Sequence, residues 1–169
     1  MGPFGKIAIV GAGSVGGILG GMLGLAGHDV TFIARGTNLE ALKKGFALID
    51  PTGIRRAVPV RACAIEAAGP FDLVVLGLKA QQIESVLAYL PRLLHQDTPI
   101  VAIQNGIPWW YFHGCGGPHE GRCVTAVDPD GRIGQAIEGR RIVGGVIYVA
   151  ATVVSPGIVH ATEINRMVV

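Results

Sequence analysis

Two patterns alternate along this chain. Short, continuous apolar runs rich in β-branched residues stand at Ile7-Ala-Ile-Val10, Val30-Thr-Phe-Ile-Ala34, Phe71-Asp-Leu-Val-Val-Leu76 and Ile100-Val-Ala-Ile103. Runs of this length and kind predict strands covered on both faces, the central strands of a parallel sheet. Segments of helical length separate them. The apolar stretch that follows Gly16 ends at Gly27-His28-Asp29, a glycine C-cap. Thr37-Asn-Leu-Glu40 has the form of a capping box and opens a short helix to about Gly45. Ala80 to Leu94 places Ile83, Val86, Leu87 and Leu90 on one helical face. Phe46 to Ile49 predicts a short strand ending at the turn Asp50-Pro-Thr-Gly53, with Val58 to Val60 as its pairing partner. Ile107 to Arg122 is irregular and carries the aromatic run Trp109-Trp-Tyr-Phe112. Ile142 to Thr152 reads as a strand, and Ser155-Pro156-Gly157 as a turn into a last strand ending at Val169. Repeats, low-complexity segments and linkers are absent from the 169 residues, so one α/β domain spanning 1–169 is expected. Its alternation of strands and helices predicts a doubly wound, mostly parallel sheet with right-handed crossovers.

The first strand runs directly into Gly11-Ala12-Gly13-Ser14-Val15-Gly16, a G-x-G-x-x-G turn that opens a helix. This order is the fingerprint of a Rossmann-type dinucleotide-binding unit. Gly11 permits the sharp turn, Gly13 lets a diphosphate approach the backbone, and Gly16 lets helix and strand pack closely. The helix N-terminus offers unpaired N–H groups to the phosphates. A competing reading is a membrane span or a signal peptide. Ile7 to Gly27 is 21 residues without a charge, with Lys6 in front and Gly16, Gly20 and Gly24 spaced as in membrane helix dimers. Eight of those residues are glycine, each costing about 1 kcal/mol of helix propensity relative to alanine, and the Gly11-x-Gly13 pair breaks such a helix near its start. No membrane association is therefore expected.

The end of the second strand bears on which dinucleotide is bound. An acid there would hold the adenosine ribose hydroxyl of NAD. The chain has Arg35 instead, 19 positions after Gly16, while Asp29 lies at the wrong end of the strand. A guanidinium can grip a 2′-phosphate in two-pronged fashion, which favours NADP(H); the bland alternative is a solvated loop arginine.

Half of the residues are apolar and 15% are charged, against a usual share of about a quarter. The surplus points to surface meant for a partner domain or subunit, with self-association or a homodimer through it. Net charge is +2, and Arg55-Arg56 and Arg140-Arg141 are isolated pairs, so no nucleic-acid track is expected. Three cysteines, Cys63, Cys115 and Cys123, give no disulfide framework and suit a reducing cytoplasm. His113, Cys115, His119 and Cys123 are zinc-ligand types, but their spacing fits no common zinc pattern, and no metal is expected.

Four loops fall at the carboxyl ends of the predicted strands: Gly11 to Gly16, Arg35, Gly77 to Lys79, and Gln104 to Gly106. In an open α/β sheet these converge on one rim. Lys79 there is either a cation awaiting an anionic or polar partner or a snorkelling surface lysine. Asn105 can donate and accept toward a carboxamide or a carbonyl, or it is simply the first residue of an Asn-Gly turn. The Trp109 to Phe112 run is a lid or a packing surface. His28 and His160 read as helix-terminal and strand residues.

Taken together, Ile7-Ala-Ile-Val-Gly-Ala-Gly-Ser-Val-Gly-Gly17, Phe32-Ile-Ala-Arg35-Gly36, Val74-Val-Leu-Gly-Leu-Lys79-Ala80 and Ile103-Gln-Asn105-Gly106 resemble the N-terminal domain of ketopantoate reductases (2-dehydropantoate 2-reductases). The resemblance implies hydride transfer from NADPH to a 2-oxo acid, giving pantoate in pantothenate and coenzyme A biosynthesis. It also implies that Lys79 and Asn105 serve both cofactor and substrate, and that the backbone near Ala151 flanks the cofactor. Members of that family carry a second, mostly helical domain that supplies the lysine general acid. No catalytic acid is expected within these residues; it is expected beyond Val169. The chain then reads as an N-terminal fragment, inactive alone. Another NADP-dependent 2-oxo acid reductase, a non-catalytic NADP(H)-sensing module and a structural dimerisation domain are the alternatives.

Overall fold

Successive residues of the first strand belong to different cores. Ile7 and Ile9 pack with Ile18, Phe32, Phe46 and Val159, whereas Ala8 and Val10 pack with Leu76, Ile83, Leu93 and Ile100. The period of two, apolar at every position, is what a strand covered on both faces requires. The computed structural model describes residues 5–168. In chain order the elements are β1 (Lys6–Val10), α1 (Ser14–Leu25), β2 (Asp29–Ile33), α2 (Gly36–Lys44), β3 (Phe46–Ile49), β4 (Arg55–Val58), β5 (Arg61–Cys63), β6 (Leu73–Leu76), α3 (Ala80–Ile83), α4 (Leu90–Leu93), β7 (Ile100–Ile103), α5 (Arg132–Ala136), β8 (Ile142–Ser155) and β9 (Ile158–Val168). Among the described residues the strands form one sheet in the order β4-β3-β9-β8-β7-β6-β1-β2-β5.

Neighbours from β8 through β5 are all parallel, as are β3 and β9; β3 with β4 and β8 with β9 are antiparallel. The predicted α/β, mostly parallel class is the observed one. The chain leaves β1 for β2 on one side and later returns to β6 on the other. The carboxyl end of β1 is therefore the switch point of the sheet, where α/β folds bind ligands. The strand β8 changes partner midway, pairing with β7 from Ile142 to Gly145 and with β9 from Val146 onward.

The glycine spacing of α1 has its explanation here. A Cβ at Gly20 would lie 2.5 Å from the Phe32 ring, and one at Gly17 2.5 Å from Val159 Cγ2. One at Gly24 would lie 2.6 Å from Val58 Cγ1. The helix is bedded between β2 on one side and β3, β4 and β9 on the other, too closely for side chains. It has 12 residues, and no helix among the described residues is long and apolar enough to cross a membrane.

Several local expectations are corrected. The helix α2 starts at Gly36 with Arg35 in extended conformation as its N-cap and no side-chain cap. Thr37 thus lies inside the first turn, and Glu40 accepts instead from Lys43 Nζ at 3.0 Å. The partner of β3 is Arg55–Val58, with Val58 opposite Phe46; Val60 lies beyond it. The edge strand β5 lacks the apolar run that marks its neighbours and escapes the sequence pattern. The stretch Ala80 to Leu94 is broken into α3, a 3₁₀ segment at Glu84–Tyr89, and α4. Pro91 enters at the first turn of α4, having no N–H for a continuous ladder. The helix α5 is held by the buried carboxylate of Asp128, which accepts from the N–H groups of Ile133 (3.1 Å) and Gly134 (2.9 Å). The strand β8 reaches Ser155 rather than Thr152. The expected strand end at Val169 lies outside the described residues.

Candidate functional site

The loop after β1 is shaped by two glycines that have no room for a side chain. Gly11 has φ +95°, and its Cβ would meet Leu78 Cδ2 at 2.6 Å. A Cβ on Gly16 would fall 1.9 Å from the Gly11 carbonyl oxygen. Gly13 differs: nothing lies within 4 Å of the place its Cβ would take. It is the N-cap of α1, and the first bond of the helix runs from the Gly17 N–H to the Gly13 carbonyl at 2.7 Å. The amides of Ser14, Val15 and Gly16 are therefore left without helical partners beside that open space. The first turn holds no acidic residue. This end of α1 has the free donors and the positive potential that an anion requires.

Two cavities meet at this loop. One, of about 420 Å³, is lined by Gly11, Ala12, Gly13, Arg35, Ile65 and Glu66 with residues of the Glu84–Tyr89 segment. The other, of about 390 Å³, is lined by Gly13, Ser14, Val15, Lys79, Gln104, Asn105 and Ile147 among others. Gly13, Gly77, Leu78 and Gln82 belong to both walls. The structure thus brings the predicted Gly11–Gly16 loop, Arg35, Lys79 and Asn105 to one continuous rim. Arg35 and Lys79 are exposed, and neither forms an ion pair among the described residues. Asp29, at the far end of β2, is paired with Arg61.

Ala151 is not brought to the rim. It is half-buried against the core around α1, opposite Ala161, while Ile147 is the β8 residue on the cavity wall. The strand is 14 residues long and only its first part runs beside β7, so Ala151 lies past the site.

Three contributors to the rim have weaker signals in the sequence. Asn38 donates to the Ala12 carbonyl at 3.2 Å and accepts from the Gly157 N–H at 3.3 Å, tying the glycine loop to the β8–β9 turn. Its place inside an apparent capping box concealed this. Gln82 accepts from the Lys79 N–H at 3.1 Å and so fixes the start of α3; the lysine ammonium has no lone pair and caps nothing. Gln104, on the second cavity wall, has its Nε2 buried without a hydrogen-bond partner among the described residues. A buried, unpaired donor on a cavity wall suits a ligand carrying a carbonyl or carboxylate. The open place at Gly13, the unpaired cations and this orphan donor all fit a dinucleotide lying across the strand ends.

The aromatic and Cys/His loop stands elsewhere. Trp109 is only 5% exposed and joins the core with Ile133 and Ile137, while Tyr111 is 55% exposed. Trp109 is thus packing rather than lid. Glu120 accepts from the N–H groups of Gly114 (2.8 Å) and Gly116 (2.7 Å). Those bonds, helped by nearby His113 and the Cys115 thiol, hold its carboxyl below the usual range. No group of three or more His, Cys, Asp or Glu residues that could hold a metal ion occurs among the described residues. Partial burial raises the Cys63 thiol above its ordinary value.

Comparison with known proteins converges on one family. Residues 7–110 match the profile described as Ketopantoate reductase PanE/ApbA. A 2-dehydropantoate 2-reductase of Mesorhizobium japonicum is 46% identical over 164 residues, which is 95% of this chain and 50% of the relative. An uncharacterized oxidoreductase of Bacillus subtilis is 29% identical over 95% of this chain and 46% of its own length. Among solved structures, a protein from Ralstonia solanacearum MolK2 assigned as a ketopantoate reductase superposes with a TM-score of 0.89 at 41% identity. It covers 96% of this chain and 51% of that one. The chain spans about half the length of the curated relatives it matches over most of its own length. With the glycine loop, Lys79 and Asn105 on one rim and the profile spanning the strands that carry them, the chain belongs to the ketopantoate reductase family.

Proposed function

We propose that this chain is the cofactor-binding half of an NADPH-dependent reductase that converts 2-dehydropantoate to pantoate, the activity named for the Mesorhizobium relative. The observation that carries the reading is the order of groups along the rim. Asn105 follows β7, Lys79 follows β6, the glycine loop follows β1 and Arg35 follows β2, and these strands are consecutive neighbours. That is the order of nicotinamide, diphosphate and phosphorylated ribose along NADPH.

Each residue has a defined task. The amides of Ser14, Val15 and Gly16 hold the diphosphate, and Arg35 pairs with the 2′-phosphate through two N–H groups. Bound NADPH supplies the hydride. Lys79 donates to the cofactor or the substrate near the reacting end. Asn105 donates to a carbonyl or carboxylate, and its own oxygen remains free to accept from a carboxamide. Ile103 and Ile147 form the apolar wall that limits water there. Reduction of a ketone also needs an acid near the oxygen. In this reading a lysine beyond Val169 provides it.

The test combines titration and assay. NADPH should bind this chain in preference to NADH. A longer protein containing it should consume NADPH with 2-dehydropantoate faster than with other 2-oxo acids. Faster turnover of a different 2-oxo acid would reassign the substrate, a reading to which the Bacillus oxidoreductase gives room. Absence of NADPH binding would remove the proposal altogether.

A further inference from the structure

We propose that Glu66 recognises the base of the bound nucleotide, its carboxylate accepting a hydrogen bond from the exocyclic amine of adenine. The inference rests on the dinucleotide reading above and extends it by one strand.

The edge strand β5 pairs in parallel with β2, Cys63 opposite Ile33, and the Ala34 N–H donates to the Cys63 carbonyl at 3.2 Å. The carboxyl end of β5 thus lies on the same rim, about 4.8 Å beyond that of β2, the usual spacing of neighbouring strands. The chain then enters a 3₁₀ turn, Ile65–Ala67, which carries Glu66. Glu66 lines the same cavity as the glycine loop and Arg35. The half-buried apolar side chains of Ile65 and Val86 line it as well, a surface suited to a flat heteroaromatic ring.

Charge narrows the choice of partner. Glu66 and Arg35 are both exposed on one cavity and do not pair with each other, and Glu66 has no hydrogen-bond or ion-pair partner among the described residues. A carboxylate only accepts. The 2′-phosphate offers it no proton at neutral pH and repels it, and the adjacent ribose hydroxyl lies with that phosphate at the end of β2. The remaining conventional donor at the adenosine end is the amine of the base. With diphosphate at β1 and phosphorylated ribose at β2, the base falls at β5, where Glu66 is.

The experiment measures dissociation constants of NADPH and its deamino analogue, in which a C6 carbonyl replaces the amine. It uses this chain and its Glu66→Gln variant. The wild type should bind the analogue about tenfold more weakly, because a carbonyl then faces a carboxylate. In Glu66→Gln the carboxamide can serve amine and carbonyl alike, so the two constants should become nearly equal. The residue is exposed, and circular dichroism of the variant should match the wild type. Equal binding of both nucleotides by the wild type, or an unchanged ratio in the variant, overturns the assignment while leaving the cofactor reading intact. So does a variant that changes only the preference between NADPH and NADH, since that puts the carboxylate at the ribose. If the wild type binds no NADPH, both proposals fall together.

Discussion

Gly13 and Gly16 are the same residue type three positions apart, yet the structure uses them for different things. A methyl group at Gly16 meets the Gly11 carbonyl oxygen at 1.9 Å and Ile9 Cγ2 at 3.2 Å, and a backbone oxygen cannot swing aside. Gly16→Ala should cost about 3 kcal/mol or more of folding stability, read by urea denaturation. A methyl group at Gly13 meets nothing, and its φ of −78° suits alanine. Gly13→Ala should therefore fold within about 0.5 kcal/mol of the wild type and still lose at least tenfold in NADPH affinity. Loss of stability without loss of binding would place the diphosphate elsewhere. Arg35 carries no competing partner among the described residues, so Arg35→Ala should weaken NADPH by about 1.5–3 kcal/mol and leave NADH unchanged, as titration of both would show. Glu120 is held below the normal carboxylate range by the Gly114 and Gly116 amides. A depressed carboxyl stabilises its loop above the unfolded-state value, and that support is lost as pH falls through the folded one. The protection factors of those two amides, taken against the intrinsic exchange rate at each pH, should therefore fall in acid, and in Glu120→Gln they should be low at neutral pH too. The glycines and Arg35 were legible because each solves a local problem within one loop. Asn38 was not, since its partners Ala12 and Gly157 are separated from it by 26 and 119 positions and the pattern around it favoured a cap.

The elements that could be read from the chain are those whose burial writes a period into it. The strands β1, β2, β6 and β7 are apolar on both faces, and that continuity reveals them and their central place in the sheet. The strand β5 is short, on the edge and half solvated, so Arg61-Ala62-Cys63 carries no such mark. It nevertheless completes the rim on which Glu66 stands. The apolar face of residues 80–94 was legible, but Pro91 cannot donate within a continuous ladder, and one expected helix is observed as three short pieces. The helix α2 shows how elements acquire a site. It sets Arg35 at its N-terminus, while Asn38, one turn in, fastens it to the glycine loop and to the β8–β9 turn. Replacing Asn38 by Ala removes both bonds and should cost about 1–2 kcal/mol in chemical denaturation. Asn38→Asp should be worse, because a carboxylate cannot donate to the Ala12 carbonyl and repels it instead. NADPH affinity should fall in both variants, since loop and guanidinium lose their common anchor.

At the scale of the molecule, the sheet acts as a ruler whose divisions are strands. In the proposed reading the binding groups are distributed one loop per strand, and the order β7-β6-β1-β2-β5 sets the order of ligand groups. A ligand that engages all of them must stabilise the fold as a unit, because it bridges loops distant in sequence. The apolar surplus of the composition surfaces in part on β8 and β9, where Val146, Tyr148 and Val168 are exposed and Arg166 lies over the Tyr148 ring at 5.3 Å. The Mesorhizobium relative is about twice as long as the stretch it shares with this chain, and the proposed function places the proton donor outside these residues. Binding and turnover should therefore separate in this chain. At a hundredfold excess over its dissociation constant, NADPH should add about 2.7 kcal/mol of stability, equivalent to a rise of about 5–10 °C in Tm for a domain of this size. Under the same conditions 2-dehydropantoate should be consumed slowly or not at all. NADH at the same concentration should raise Tm by less, and Arg35→Ala should bring the two nucleotides to the same value. Rapid turnover by these 169 residues alone would mean that a group already on the rim, with Lys79 the nearest candidate, supplies the proton.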